Sequence, residues 1–190
     1  MTFPYRCILA GSILSVALLL AEKQAVSQTG SHAKPSKQEE KVDSPLAHAV
    51  RHQLQTVPFY SVFDYLSFSI DGDNVTLTGQ VERPTLKAQA EAAVKSLEGV
   101  STVVNKIEVE PASAADHEVG RNVYRAIFED HTLQKYAVET VPPIHIIVKN
   151  GAVNLEGTVD SEADKILAGN LTSKVPYVST LRDNLVIRKK

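Results

Sequence analysis

The chain has 190 residues and is nearly neutral, with 20 Lys and Arg against 22 Asp and Glu and a formal charge of −2. Nothing in that balance suggests bulk nucleic-acid binding, which needs a basic face. There is no tryptophan, and the one cysteine, Cys7, stands so near the N-terminus that the rest of the chain has neither thiol chemistry nor a disulfide framework.

Residues 1–27 read as a secretory signal peptide. Arg6 supplies the positive start, Ile8 to Ala21 is uncharged and apolar, and Ala25-Val26-Ser27 offers small residues at the cleavage spacing. The run falls short of the roughly 20 apolar residues of a membrane span. Cys7 precedes the run, so it is not placed to carry a lipoprotein's lipid. A periplasmic or secreted protein is therefore expected. Residues 28–44 are rich in Ser, Lys, Gln and Glu, include Pro35 and lack apolar periodicity, which predicts a disordered leader.

Order is expected from Pro45. Leu46, Val50, Leu54 and Val57 mark one helix. Phe68 and Ile70, then Val75 and Leu77, alternate with polar residues as strands with one buried face do, and Asp71-Gly72-Asp73-Asn74 between them is hairpin chemistry. Pro84 opens a second helix carrying Leu86, Ala90, Ala93, Val94 and Leu97, and Gly99 closes it. Val100, Val103, Ile107 and Val109 then form a third strand.

The pattern returns after a linker at 111–117. Val119, Val123, Ala126 and Ile127 mark a helix, and Leu66–Val109 then aligns without a gap on Ile144–Ile187. Few paired residues are identical, but "DNVTLTGQV" faces "GAVNLEGTV" with Val75/Val153, Leu77/Leu155, Gly79/Gly157 and Val81/Val159 in register. Asn150-Gly151 repeats the hairpin turn. Ile166, Leu167, Leu171 and Val175 repeat the helical stripe, with Pro176 after it. A short insertion around His131–Thr140 separates the second copy's first helix from its first strand. The glycines Gly79 and Gly157 mark a bulge or a close approach of another backbone, and close packing on the following helix is the expected reason.

The fold class is therefore α+β: two tandem αββαβ units, 45–110 and 118–190, each a three-stranded mixed sheet covered on one face by two helices. A unit of this size is marginal alone.

These residues resemble the BON-domain family, whose pattern has a "V-x-L-x-G-x-V" strand and a late "G-V-x-x-V-x-N-x-[IL]-x-V" segment. Here they stand as Val75-Thr76-Leu77-Thr78-Gly79-Gln80-Val81 and as Gly99-Val100 through Asn105-Lys106-Ile107 to Val109. The second copy keeps "VNLEGTV" but has Tyr177 for the glycine and Asp183 for the asparagine. The resemblance implies a tandem BON-domain exported protein of the bacterial envelope. It would be a non-catalytic module that binds phospholipid membrane or an envelope partner and supports envelope integrity under stress.

Candidate chemistry is sparse. The chain carries no GxSxG, P-loop, HExxH or CxxC, and no cofactor or enzymatic activity is expected. His48 and His52 share a helix face but lie opposite the apolar stripe with no third ligand in view, so no metal site is expected. "DGDN" lacks the remaining ligands of a calcium loop. The second unit's first helix is more telling. Arg121, Tyr124, Arg125 and Phe128 fall within an arc of about 100° opposite its core stripe. Rings beside guanidinium groups suit an anionic phospholipid surface or an envelope protein. The alternative is that Tyr124 and Phe128 pack against the other unit or beneath the 131–140 segment. A different class of function, a chaperone-like protein that pairs other chains with sheet edges such as Leu66–Ile70, is the second expectation.

Overall fold

The structure is a computed structural model that describes residues 44–139 and 141–188. The expected signal peptide and most of the expected leader lie outside the described residues.

In the first unit, α1 (Pro45–Gln55) is followed by β1 (Tyr65–Asp71), β2 (Asn74–Val81), α2 (Pro84–Lys95), β3 (Thr102–Asn105) and β4 (Glu108–Val109). The second has α3 (Ala114–Phe128), a 3-10 turn at Gln134–Val138, β5 (Ile144–Lys149), β6 (Ala152–Val159), α4 (Glu162–Ser173), β7 (Thr180–Asp183) and β8 (Val186–Ile187). In each sheet the second strand is central. It pairs antiparallel with the strand before it and parallel with the pieces after α2 or α4.

The duplication holds residue by residue. Leu66 faces Gly79 as Ile144 faces Gly157, Val75 faces Val103 as Val153 faces Leu181, and Val81 faces Val109 as Val159 faces Ile187. A one-residue slip in either copy would turn its apolar set to solvent, so the matching registers follow from the matching alternation. Each copy has its own core, one built around Val50, Leu77 and Ile107, the other around Val123, Ile144 and Leu155.

Four expectations are corrected. The third strand of each unit is broken in two. Asn105 Oδ1 accepts from Ile107 N at 3.1 Å and Asp183 Oδ1 accepts from Leu185 N at 3.1 Å, so the chain bends and drops Ile107 and Leu185 into the cores. The asparagine's amide also donates to Lys87 O at 3.0 Å, tying the break to α2. With aspartate in the second copy, Lys165 Nζ donates to Leu185 O at 2.7 Å and ties the break to α4 instead.

The linker is also shorter than 111–117. Ser113 Oγ accepts from Asp116 N at 3.1 Å, so α3 begins at Ala114. In α4, Ile166 is exposed, and Ala168 and Thr172 face the core. The buried face follows the positions of Leu86, Ala90 and Val94 in α2, which in α4 are Asp164, Ala168 and Thr172.

The fourth correction concerns the strand glycines. Gly79 and Gly157 have φ of +127° and +109°, and a Cβ on either would collide with a backbone carbonyl of the preceding strand segment, Tyr65 O or Pro143 O. The close neighbour is that carbonyl and not the helix. Gly72, in the first hairpin turn, also has positive φ but faces open space. Gly79→Ala and Gly157→Ala are therefore expected each to cost about 3 kcal/mol or more, strain and overlap together. Gly72→Ala should cost about 1 kcal/mol, from the left-handed backbone alone. Urea denaturation of the three variants checks the ranking.

Candidate functional site

The two units are joined through the segment between α1 and β1. Val62 belongs to the second unit's core, and its carbonyl accepts from Ile146 N at 2.8 Å on the outer edge of β5. Phe63 lies against Gly120 of α3, where a Cβ would stand 3.2 Å from its ring. On the far side of the junction Lys149 pairs with Glu110, and Asp116 Oδ1 accepts from Gly151 N at 2.8 Å. That bond outweighs burial, which pushes the other way, and holds the Asp116 carboxyl below its ordinary range.

This joint decides the fate of the candidate face on α3. Tyr124 sits between Phe63 and Phe128 at a tilt to each, with ring centroids 6.4 and 4.7 Å away. Phe128 is 6 % exposed and lies in the second core, and Tyr124 is half-buried against it. The four residues therefore do not form one exposed patch. Tyr124 packs against the first unit's Phe63, Phe128 packs into the second core, and of the four only Arg121 and Arg125 are exposed. The helical wheel places Phe128 one position from Ile127, at the margin of the buried stripe, and Tyr124, itself against Phe63, lies beside it there. Neither arginine has a carboxylate partner among the described residues.

The insertion after α3 is also built in. Tyr136 Oη donates to Asp164 Oδ2 at 2.7 Å and accepts from Asp160 N at 2.7 Å, while Lys135 Nζ donates to the same Asp164 oxygen at 2.9 Å. Burial pushes the Asp164 carboxyl up, but these bonds outweigh it and hold it below the usual carboxylate range. Asp164 occupies the place of the buried Leu86 in the first copy, so the insertion supplies the partners its carboxylate needs.

His48 and His52 are exposed on α1, and no cluster of three or more His, Cys, Asp or Glu side chains suited to a metal occurs among the described residues. The acidic groups by the junction are engaged, Glu110 Oε1 by Lys149, Asp116 by Gly151 and Glu82 by His117 at 3.6 Å.

Two features carried no signal readable in the sequence. His145 is 6 % exposed, with Nε2 3.4 Å from Tyr60 Oη and its ring between Tyr60 and Tyr65 at centroid distances of 5.5 and 5.6 Å. The other is a pair of exposed rings, Phe59 and Tyr177, each on a residue of positive φ.

The chain matches the BON domain over residues 43–111 and again over 125–189, and it belongs to that family. It is a tandem BON-domain protein. It is 34 % identical over 125 residues to osmotically-inducible protein Y of Escherichia coli (strain K12), an alignment that covers 63 % of this chain and 60 % of that one. The chain thus spans less than two thirds of that relative. Two solved structures of CdsD, a structural protein of the type III secretion system of Chlamydia trachomatis, are 18 % and 12 % identical. They cover 75 % and 76 % of this chain and 64 % and 93 % of their own, with TM-scores of 0.29 and 0.28, too low to bear on function.

Burial pushes the His145 imidazole down from 6.5 to about 4, against the opposing pull of the Asp64 and Ser61 backbone. The folded protein thus holds it neutral where the unfolded chain would charge it. Its contribution to stability should be full above about pH 6.5 and lost as pH falls toward 4, on the order of 3 kcal/mol. In His145→Gln that part of the pH dependence should vanish when urea midpoints are compared between pH 7 and pH 4.5.

Proposed function

We propose that this protein is a non-catalytic, exported module that docks on anionic phospholipid at the cell envelope through its second unit and serves envelope integrity under stress. The observation that carries the reading is the outer face of α3, where Arg121 and Arg125 stand exposed one turn apart without carboxylate partners among the described residues. Guanidinium groups so placed meet phosphate bidentately. The tightly packed Tyr124 and Phe128 do not insert. They hold the helix so that both arginines face one way. Membership of the BON family, the signal-like N-terminus and a relative named for osmotic induction support the exported, stress-related setting. No helix among the described residues is long and apolar enough to cross a membrane, so the contact is peripheral.

A chaperone-like role has one observation in its favour. β1 is the outer strand of the first sheet, whereas the matching edge of β5 is bonded to Val62. An extended client chain would pair along Leu66–Ile70 beyond the Leu66 amide, which already donates to Tyr60 Oη at 3.3 Å.

The full chain should co-sediment with phosphatidylglycerol-containing vesicles at low salt and release at high salt, as a surface electrostatic contact must. Arg121→Glu combined with Arg125→Glu should weaken binding at least about tenfold, at about 1 kcal/mol per basic residue before reversal is counted. His48→Ala should bind like the parent. Equal sedimentation of the double variant and the parent would remove α3 from the interface.

A further inference from the structure

Three helices in this protein end in the same turn. In each, an amide bonds back to the carbonyl three residues earlier: Tyr60 N to Val57 O at 3.2 Å, Val100 N to Leu97 O at 3.4 Å and Val178 N to Val175 O at 3.4 Å. The third residue of each turn has positive φ: Phe59 at +68°, Gly99 at +87° and Tyr177 at +67°. Two of the turns also carry proline second, Pro58 and Pro176. This is the type II arrangement, in which proline suits the second position and glycine the third.

Gly99 obeys that rule, and Phe59 and Tyr177 do not. A bulky residue in the left-handed region costs about 1–2 kcal/mol. Burial does not offset it, because Phe59 is 71 % exposed and Tyr177 85 % exposed. The valines before them do the packing, since Val57 and Val175 are buried. Strain kept at an exposed ring is a sign of function rather than of folding.

The Arg83 guanidinium lies 5.4 Å from the Phe59 ring centroid, and Lys174 closes α4 just before the turn that carries Tyr177. Neither cation has a carboxylate partner among the described residues. The two turns also flank one junction. Arg83 adjoins Glu82, which pairs with His117. Asp116 beside it holds Gly151, and Gly151 lies against the backbone of Tyr177. Moreover α3 and α4 pack together.

We infer that Phe59 and Tyr177 are membrane-contacting rings, each presented by a strained type II turn to the headgroup layer of an anionic bilayer, with Arg83 and Lys174 meeting lipid phosphate beside them. An exposed ring paired with a free cation fits that boundary, where the ring settles at headgroup depth and the charge stays wet. This rests on the lipid-docking reading above.

The chain has no tryptophan, so Phe59→Trp and Tyr177→Trp each install a single fluorescent reporter. With phosphatidylglycerol-containing vesicles, both should shift to the blue and be quenched by lipids brominated near the headgroup. Phe59→Gly and Tyr177→Gly should raise the urea midpoint by relieving the backbone while weakening vesicle binding roughly tenfold each. If the parent sediments with vesicles but the indoles keep the emission of an exposed ring, or the glycine variants bind undiminished, this inference fails and the α3 reading stands. No sedimentation of the parent would overturn both. A blue shift with an unfolded client protein and none with vesicles would assign the rings to protein binding and refute the lipid contact.

Discussion

The hydrogen bond from Ile146 N to Val62 O, with Val62 and Phe63 seated behind it, is what the rest of the molecule hangs on. A BON unit of this size buries little surface by itself. The second unit completes its core with residues of the first, and the β5 edge is closed by the same contact. Phe63 covers Gly120 and Tyr124, and Tyr124 covers Phe128. His145 loses its water because Tyr60 and Tyr65 arrive with that segment. The surface left for partners is what this joint does not take: the arginines of α3, the two exposed rings and the outer edge of β1.

The copies differ where their surroundings differ. Leu86 in the first becomes Asp164 in the second, and the inserted Lys135 and Tyr136 provide the hydrogen bonds a buried carboxylate needs. Asn105 becomes Asp183, and Lys165 replaces the lost amide donor. Gly99 becomes Tyr177, whose ring is 85 % exposed. The first two exchanges are balanced inside the fold. The third leaves a ring in solvent, where the proposed lipid contact would take it.

Much of the scaffold was legible because strand alternation and helical periodicity are local. Val75, Leu77 and Val81 announce a buried face at spacing two, and Leu86, Ala90 and Val94 at spacing four. The glycine of the central strand was legible as a close approach, but its partner was not, because Tyr65 and Pro143 meet it only once the hairpin has closed. Ile166 was misplaced since an apolar residue two positions off the buried line looks locally like a member of it. The arginines of the candidate site were legible as exposed. The rings between them were not legible as covered, since Phe63 lies far away in sequence.

By itself the sequence determined the duplication, the α+β class, the hairpin turns and the lack of any cysteine after Cys7, all of which follow from residue type and spacing. Only the tertiary structure decided how the two units lock together, that His145 is buried, that Phe128 belongs to the core and that Phe59 and Tyr177 stand in solvent on strained backbone. These depend on which surface of one unit meets the other. Burial is a property of a neighbour's position, and the neighbour here is a segment more than fifty residues away, which no local pattern encodes.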